Sequence, residues 1–162
     1  MADYIPHGRI GGTAACVIAN GEFYDRTLFT LWEEMTGRKE PDNLDWVLRV
    51  QMGSATEQLN ARWYEHVTGH NVDYWGSNVD LKVHLEHDFV VGQIDGAIFR
   101  PGDDPSGYPG LLECKHGGHT QTIRKYEERY YPQIQHYLAV TGWHWAALSA
   151  FFGTAKHDFT II

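Results

Sequence analysis

Glu113 and Lys115 lie two residues apart in the run Gly110-Leu111-Leu112-Glu113-Cys114-Lys115, and side chains of a strand alternate between faces, so both charges project from one face of an apolar segment. A carboxylate and an ammonium are expensive on a buried sheet face unless each has a partner. A divalent cation and a phosphate would partner both. If Asp95, in the stretch Gln93-Ile94-Asp95-Gly96, ends or bends on the neighbouring strand, two carboxylates and one lysine come together. Such a layout suits a hydrolytic metal centre acting on phosphodiesters. The plainer alternative is a structural ion pair between Glu113 and Lys115 in an acidic interaction protein.

The elements that must position these residues are read in chain order. Gly11-Gly12 leads into a small-residue helix, capped by Thr13 and closed near Asn20-Gly21. Its exposed amides, with Thr13 and Arg9, make either a phosphate seat or only a tight helix start. Thr27 to Thr36 is amphipathic, with Leu28, Leu31, Trp32 and Met35 on its core stripe, and a second helical segment begins near Trp46. Ser54 to Glu57 fits a capping box opening a helix through Glu65, with Leu59, Trp63 and Val67 spaced for burial, so Glu57 has a structural role available to it. Val79 to Glu86 alternates as a half-buried strand, with Phe89 to Phe99 as its hairpin partner. Gly96 permits a turn, a bulge or close approach by a ligand.

After the Leu111 to Lys115 strand, Cys114, His116 and His119 offer soft ligands. A structural zinc site wants four, and a glycine-hinged loop is the better reading. Gln121 to Val140 is helical, with Pro132 expected in the first turn of a new helix. Gln133 and Tyr137 share a face, beside the apolar stripe of Ile134 and Leu138. Trp145 to Phe152 and Lys156 to Ile162 read as a closing strand pair. Helices followed by hairpin, strand, helix and strand imply an α/β sheet flanked by helices.

At 162 residues the chain is expected to be one domain, residues 1–162, and 6 Trp, 9 Tyr and 7 Phe argue for a packed core. The two cysteines, Cys16 and Cys114, read as reduced thiols. Without a signal-like start or a long apolar run, a cytoplasmic protein without membrane attachment is expected. The net charge of −8 disfavours a nonspecific duplex binder. Grip on DNA would fall to a local basic surface drawn from Arg9, Arg49, Arg124, Lys125 and Arg129.

Nearly the whole chain resembles the YqaJ-type viral recombinase and phage lambda exonuclease branch of the PD-(D/E)xK nucleases. Ile10-Gly11-Gly12-Thr13-Ala14-Ala15 is similar to the family's opening segment, and Leu31-Trp32-Glu33 through Thr36-Gly37-Arg38 to a helix end. Met52-Gly53 through Glu57 resembles its acidic helix. Asp95-Gly96, Glu113-Cys114-Lys115 and Gln133 to Tyr137 resemble its metal aspartate, ExK and QxxxY motifs. The chain departs from the family at Ala14, where an acidic residue is common.

The resemblance implies a restriction-endonuclease-like mixed β-sheet flanked by α-helices and Mg²⁺-dependent DNA cleavage, with Mn²⁺ able to substitute. It implies Asp95, Glu113, the Cys114 carbonyl and Glu57 around the metal, and catalytic roles for Glu57, Asp95, Glu113, Lys115, Gln133 and Tyr137. Thr13, Arg9 and Gln133 would contact DNA. It further implies 5'–3' exonuclease action on double-stranded ends in phage recombination, inside a host cell if phage-encoded, with a single-strand annealing protein as partner and trimers as a family habit. An endonuclease, or a catalytically inactive DNA-binding or regulatory module with the same fold, is the alternative.

Overall fold

A computed structural model describes residues 8–76, 81–102, 107–154 and 159–162. Its frame is a five-stranded sheet in the order β3(Asn71–Tyr74), β6(Gly96–Phe99), β7(Gly110–His116), β8(Ala146–Phe151), β9(Phe159–Ile161). All neighbours are antiparallel except β7 and β8. A parallel pair needs a crossover, and α4(Ile123–Thr141) supplies it. On the same face as α4 lies α1(Gly12–Asn20), and the other face is covered by α3(Leu48–Thr68). Two short ribbons, β1(Glu22–Phe23) with β2(Arg26–Thr27) and β4(Lys82–Val83) with β5(Val91–Gly92), and the helix α2(Leu28–Met35) complete the described elements.

The alternation of β7 sorts the core. Leu112 and Cys114 pack with Ala61, Tyr64, Ile98 and Ala147 beneath α3, whereas Leu111 meets Ile94 and Tyr137 on the α4 side. Leu148 and Ala150 of β8 join Cys16, Val17, Leu31, Tyr126 and Tyr130 in a third cluster between α1, α2 and α4. Burying β7 on both faces explains its almost unbroken apolar run.

Several elements depart from the sequence expectation. The helix expected to begin at Ser54 is part of α3, which starts at Leu48, so Ser54 and Glu57 fall in its interior and form no cap. Its buried face is therefore Asn60, Ala61 and Tyr64. Leu59 and Val67, expected inside, are 55% and 51% exposed. Pro132 lies within α4 instead of starting a new helix. The buried residues Tyr126 and Tyr130 before it, and Gln133 and Tyr137 after it, anchor both halves to one face, and that packing outweighs the missing backbone donor. In α2 only Leu31 and Glu34 are buried, while Leu28 and Trp32 face outward. Glu34 is held there by the guanidinium of Arg26.

The long hairpin also resolves differently. Residues 79 and 80 lie outside the described residues, and the remaining strand is only Lys82–Val83, exposed at both positions. The segment from Phe89 to Phe99 divides at Ile94-Asp95: β5 serves the small ribbon, and β6 pairs with β3, a strand the alternation did not reveal. A side chain at Gly96 would stand 2.8 Å from the Asp73 carbonyl oxygen, so the glycine admits β3 rather than a ligand. Residues 156–158 of the last expected strand lie outside the described residues.

Candidate active site

Where β6 begins, Asp95 occupies the bend just before Gly96, whose register partner on β7 is Leu112. Beyond this last pair the backbone N–H of Cys114 donates to Asp95 Oδ2 at 2.6 Å, so a side chain takes over from the ladder. That single bond ties the aspartate to the Glu113–Lys115 strand. Glu113 is 1% exposed, on the α4 face of β7. The Lys115 ammonium pairs with Glu113 Oε1, and Gln133 Nε2 donates to the same oxygen at 2.8 Å. Gln133 also donates to the Tyr137 hydroxyl at 3.0 Å. Glu113 Oε2 is buried with no hydrogen-bond partner among the described residues.

Glu57 arrives from α3, on the helix face that also carries Asn60, Ala61 and Tyr64. Tyr74 of β3 donates to its Oε1 at 3.1 Å. The three carboxylates interact strongly enough to perturb one another. Burial, then repulsion from Asp95, pushes Glu113 up to about 8 and Glu57 up to about 7. Burial raises Asp95 as well, against the pull of Lys115 and of the Cys114 amide. For Lys115, burial favours the neutral amine, but Glu113 and then Asp95 outweigh it and hold the group well above its ordinary value. Acids that resist ionisation around a cation that resists deprotonation form a pocket short of positive charge.

The structure thus gathers Glu57, Asp95, Glu113, Lys115, Gln133 and Tyr137. Cys114 turns its thiol to the α3 face, where burial raises it well above the usual thiol range, so only its backbone is available to the site. Thr13 does not cap α1: Gly11 is the cap, without a side-chain bond, and Thr13 is exposed in the first turn. Arg9 is also exposed. Gly12 is the residue of this segment that meets the site, since a Cβ there would stand 2.6 Å from the Tyr137 ring and 2.7 Å from Gln133. His116 Nδ1 lies 2.9 Å from Thr56 Oγ1. Among the described residues no three His, Cys, Asp or Glu side chains, the three carboxylates included, stand close enough to cage a metal by themselves, so a cation here would need water and phosphate to complete its shell.

Two supporting residues escape a reading of the sequence. Asn60, 1% exposed, donates to the carbonyls of Lys115 at 3.1 Å and Ser149 at 3.0 Å, and accepts from Ser149 Oγ at 2.6 Å, fastening α3 to the β7–β8 pair beside the lysine. Tyr130 places its ring 4.8 Å beneath the Lys115 ammonium. Asn60 sits three residues after Glu57, a helical spacing that hints at a shared face. Nothing in the sequence marks Tyr130 among its neighbouring tyrosines.

The donor set can be tested against a divalent cation. Glu113 Oε2 is an orphaned buried acceptor, while Asp95 is bonded to the Cys114 amide, Glu57 to Tyr74, and these two carboxyls to each other. All are hard oxygens. Magnesium takes one or two carboxylates and completes its shell with water and phosphate, so a site without a full protein cage fits it.

The sequence pattern of the YqaJ-like viral recombinase domain matches residues 5–144. The crystal structure of LHK-Exo in complex with dAMP superposes with a TM-score of 0.66 at 20% identity, covering 96% of this chain and 77% of the other. The crystal structure of the alkaline exonuclease LHK-Exo from Laribacter hongkongensis gives the same score and identity, with 96% and 76% covered. The described fold is thus the restriction-endonuclease-like fold of these two structures, a mixed sheet flanked by helices. No curated protein matches the chain. No helix among the described residues is long and apolar enough to cross a membrane.

Proposed function

The chain belongs to the YqaJ-like viral recombinase domain family, and from that premise we propose that it is a metal-dependent deoxyribonuclease, working as a 5'–3' exonuclease on double-stranded ends in phage-type recombination. The observation that carries this reading is the Glu113 carboxyl, buried with one oxygen saturated and the other orphaned, between two further carboxylates. Asp95, Glu113, the Cys114 carbonyl and Glu57 would hold Mg²⁺, or Mn²⁺ in its place. Bound there, the cation would acidify a water and offset charge developing on the phosphate.

The remaining work falls to side chains. Lys115, paired with Glu113, orients or deprotonates the attacking water or neutralises phosphate oxygens. Gln133 fixes the rotamer of Glu113 while Tyr137 accepts its second N–H, so the two act as a wall that keeps Glu113 aimed. Tyr74 does the same for Glu57. Gly12 lets α1 approach that wall closely. LHK-Exo, named as an alkaline exonuclease, supports exonuclease action by likeness.

The test is incubation of the pure protein with end-labelled linear, nicked and circular DNA, with and without Mg²⁺. Linear duplex should be degraded from its ends and circular DNA spared. Asp95→Ala, Glu113→Ala and Lys115→Ala should each reduce cleavage to background while the protein remains folded. Activity retained in all three variants, or full activity in EDTA, would refute the proposal; cleavage of circular DNA would make the enzyme an endonuclease.

A further inference from the structure

The β1–β2 hairpin turns through Tyr24 and Asp25, and Tyr24 has φ 53°, the only positive φ outside glycine among the described residues. An aromatic residue is an unusual occupant of that backbone region, which turns normally give to Gly, Asn or Asp. Its side chain explains the choice. The Tyr24 hydroxyl lies 2.8 Å from that of Tyr130, and the Tyr130 ring in turn holds the Lys115 ammonium 4.8 Å from its centre. Two guanidiniums stand over the Tyr24 ring, Arg49 of α3 at 4.9 Å and Arg129 of α4 at 5.1 Å from its centre. Arg129 also lies 5.8 Å from the Tyr126 ring and has no carboxylate partner among the described residues. Among the described residues the carboxylate partner of Arg49 is Asp25, at 3.9 Å, in an exposed pair of little strength.

In a chain of net charge −8, two cations drawn from distant segments onto one exposed ring are a local exception. Resting on the nuclease reading, we propose that Tyr24, Arg49 and Arg129 form a phosphate clamp that grips the DNA strand one tyrosine away from Lys115. The ring holds the guanidiniums by cation–π attraction while leaving their N–H groups free for phosphate oxygens. The Tyr24–Tyr130 bond sets the distance between clamp and reactive centre, so strand position and chemistry stay in register. Strain at Tyr24 is tolerated because an asparagine or glycine there would turn the chain equally well and hold neither arginine.

The experiment compares wild type, the double variant Arg49→Gln/Arg129→Gln and Tyr24→Asn in Mg²⁺-dependent cleavage of a linear duplex over a range of salt. Both arginines are at least partly exposed and asparagine suits the turn, so melting midpoints are expected to stay within about 5 °C of wild type. The double variant should raise KM tenfold or more, with a smaller change in kcat, and flatten the dependence of log KM on log salt by about one to two phosphate contacts. Tyr24→Asn should raise KM severalfold by releasing the arginines. An active wild type alongside a double variant with unchanged KM and salt slope overturns the clamp alone, and wild-type KM in Tyr24→Asn overturns the anchoring role of the ring. A wild-type protein that neither binds nor cuts DNA overturns the nuclease reading and the clamp with it.

Discussion

Raising the pH from 6 to 8 should tighten divalent-cation binding steeply, because the acids that would receive the cation are held protonated by their own pocket. Glu113, pushed to about 8, is ionised in about one molecule in a hundred at pH 6 and in half at pH 8, a gain of about fiftyfold. Glu57, at about 7, adds about tenfold over the same window. Because the two acids repel one another their gains do not simply multiply, and the apparent affinity for Mn²⁺ or Mg²⁺ rises at least about tenfold, equivalent to about 1.4 kcal/mol or more. At pH 7 the binding event should expel about one proton. Calorimetric titration in buffers of different ionisation enthalpy measures both quantities. The sign of the metal-free stability is opposite: these carboxyls are raised above their unfolded values, so their contribution is complete below about 4.5 and is lost as pH climbs through 7 and 8. The melting midpoint should therefore fall over that window without cation and fall less with it. Affinity changing by less than threefold between pH 6 and 8, with no proton release, would refute the carboxylate pocket as the cation's seat.

Further outcomes follow from the supporting residues. Asn60→Ala removes three hydrogen bonds, two of them buried, and strands Ser149 Oγ, so a loss of about 3 kcal/mol and a melting midpoint lower by about 6 to 12 °C are expected in a thermal scan. Gly12→Ala drives a methyl into Tyr137 and Gln133; overpacking should cost about 1 to 3 kcal/mol, and cleavage should fall further than that stability loss alone explains, which paired melting and activity assays would reveal.

The residues that the fold gathers into the candidate site stand out in the sequence because they break the pattern around them. Glu113 and Lys115 interrupt an apolar strand, and Gln133 and Tyr137 recur at helical spacing. What resisted reading was the path of the chain between them. Ser54-Ala55-Thr56-Glu57 satisfies a capping rule, yet α3 runs through it, because a cap motif stabilises a start only where the preceding turn is not already helical. Pro132 predicts an interruption that packing on both sides overrides. The segment 71–74 is short, and its exposed Asn71 and Asp73 alternate with half-buried Val72 and Tyr74, a faint signal for the strand that completes the sheet beside β6.

The same contrast bears on Asp95, which the sequence offers both as a bend at a strand end and as a residue within one run from Phe89 to Phe99. As a middle residue of a continuous strand from Phe89 to Phe99, it would share a face with Val91 and Ala97 and sit against the core, unable to reach another strand's backbone. The observed break between β5 and β6 frees it to swing across the end of the ladder and accept the Cys114 amide. Gly96, whose missing side chain lets β3 close against the start of β6, holds the strand that presents Tyr74 to Glu57. One local departure from regular strand thus joins the aspartate to the glutamate–lysine strand and brings the third carboxylate's anchor alongside. A continuous strand through Asp95 would give a more regular sheet and separate the acids. The irregularity is therefore where the fold yields regular pairing to bring three acids beside one ammonium, and burial with mutual repulsion holds those acids above their ordinary range.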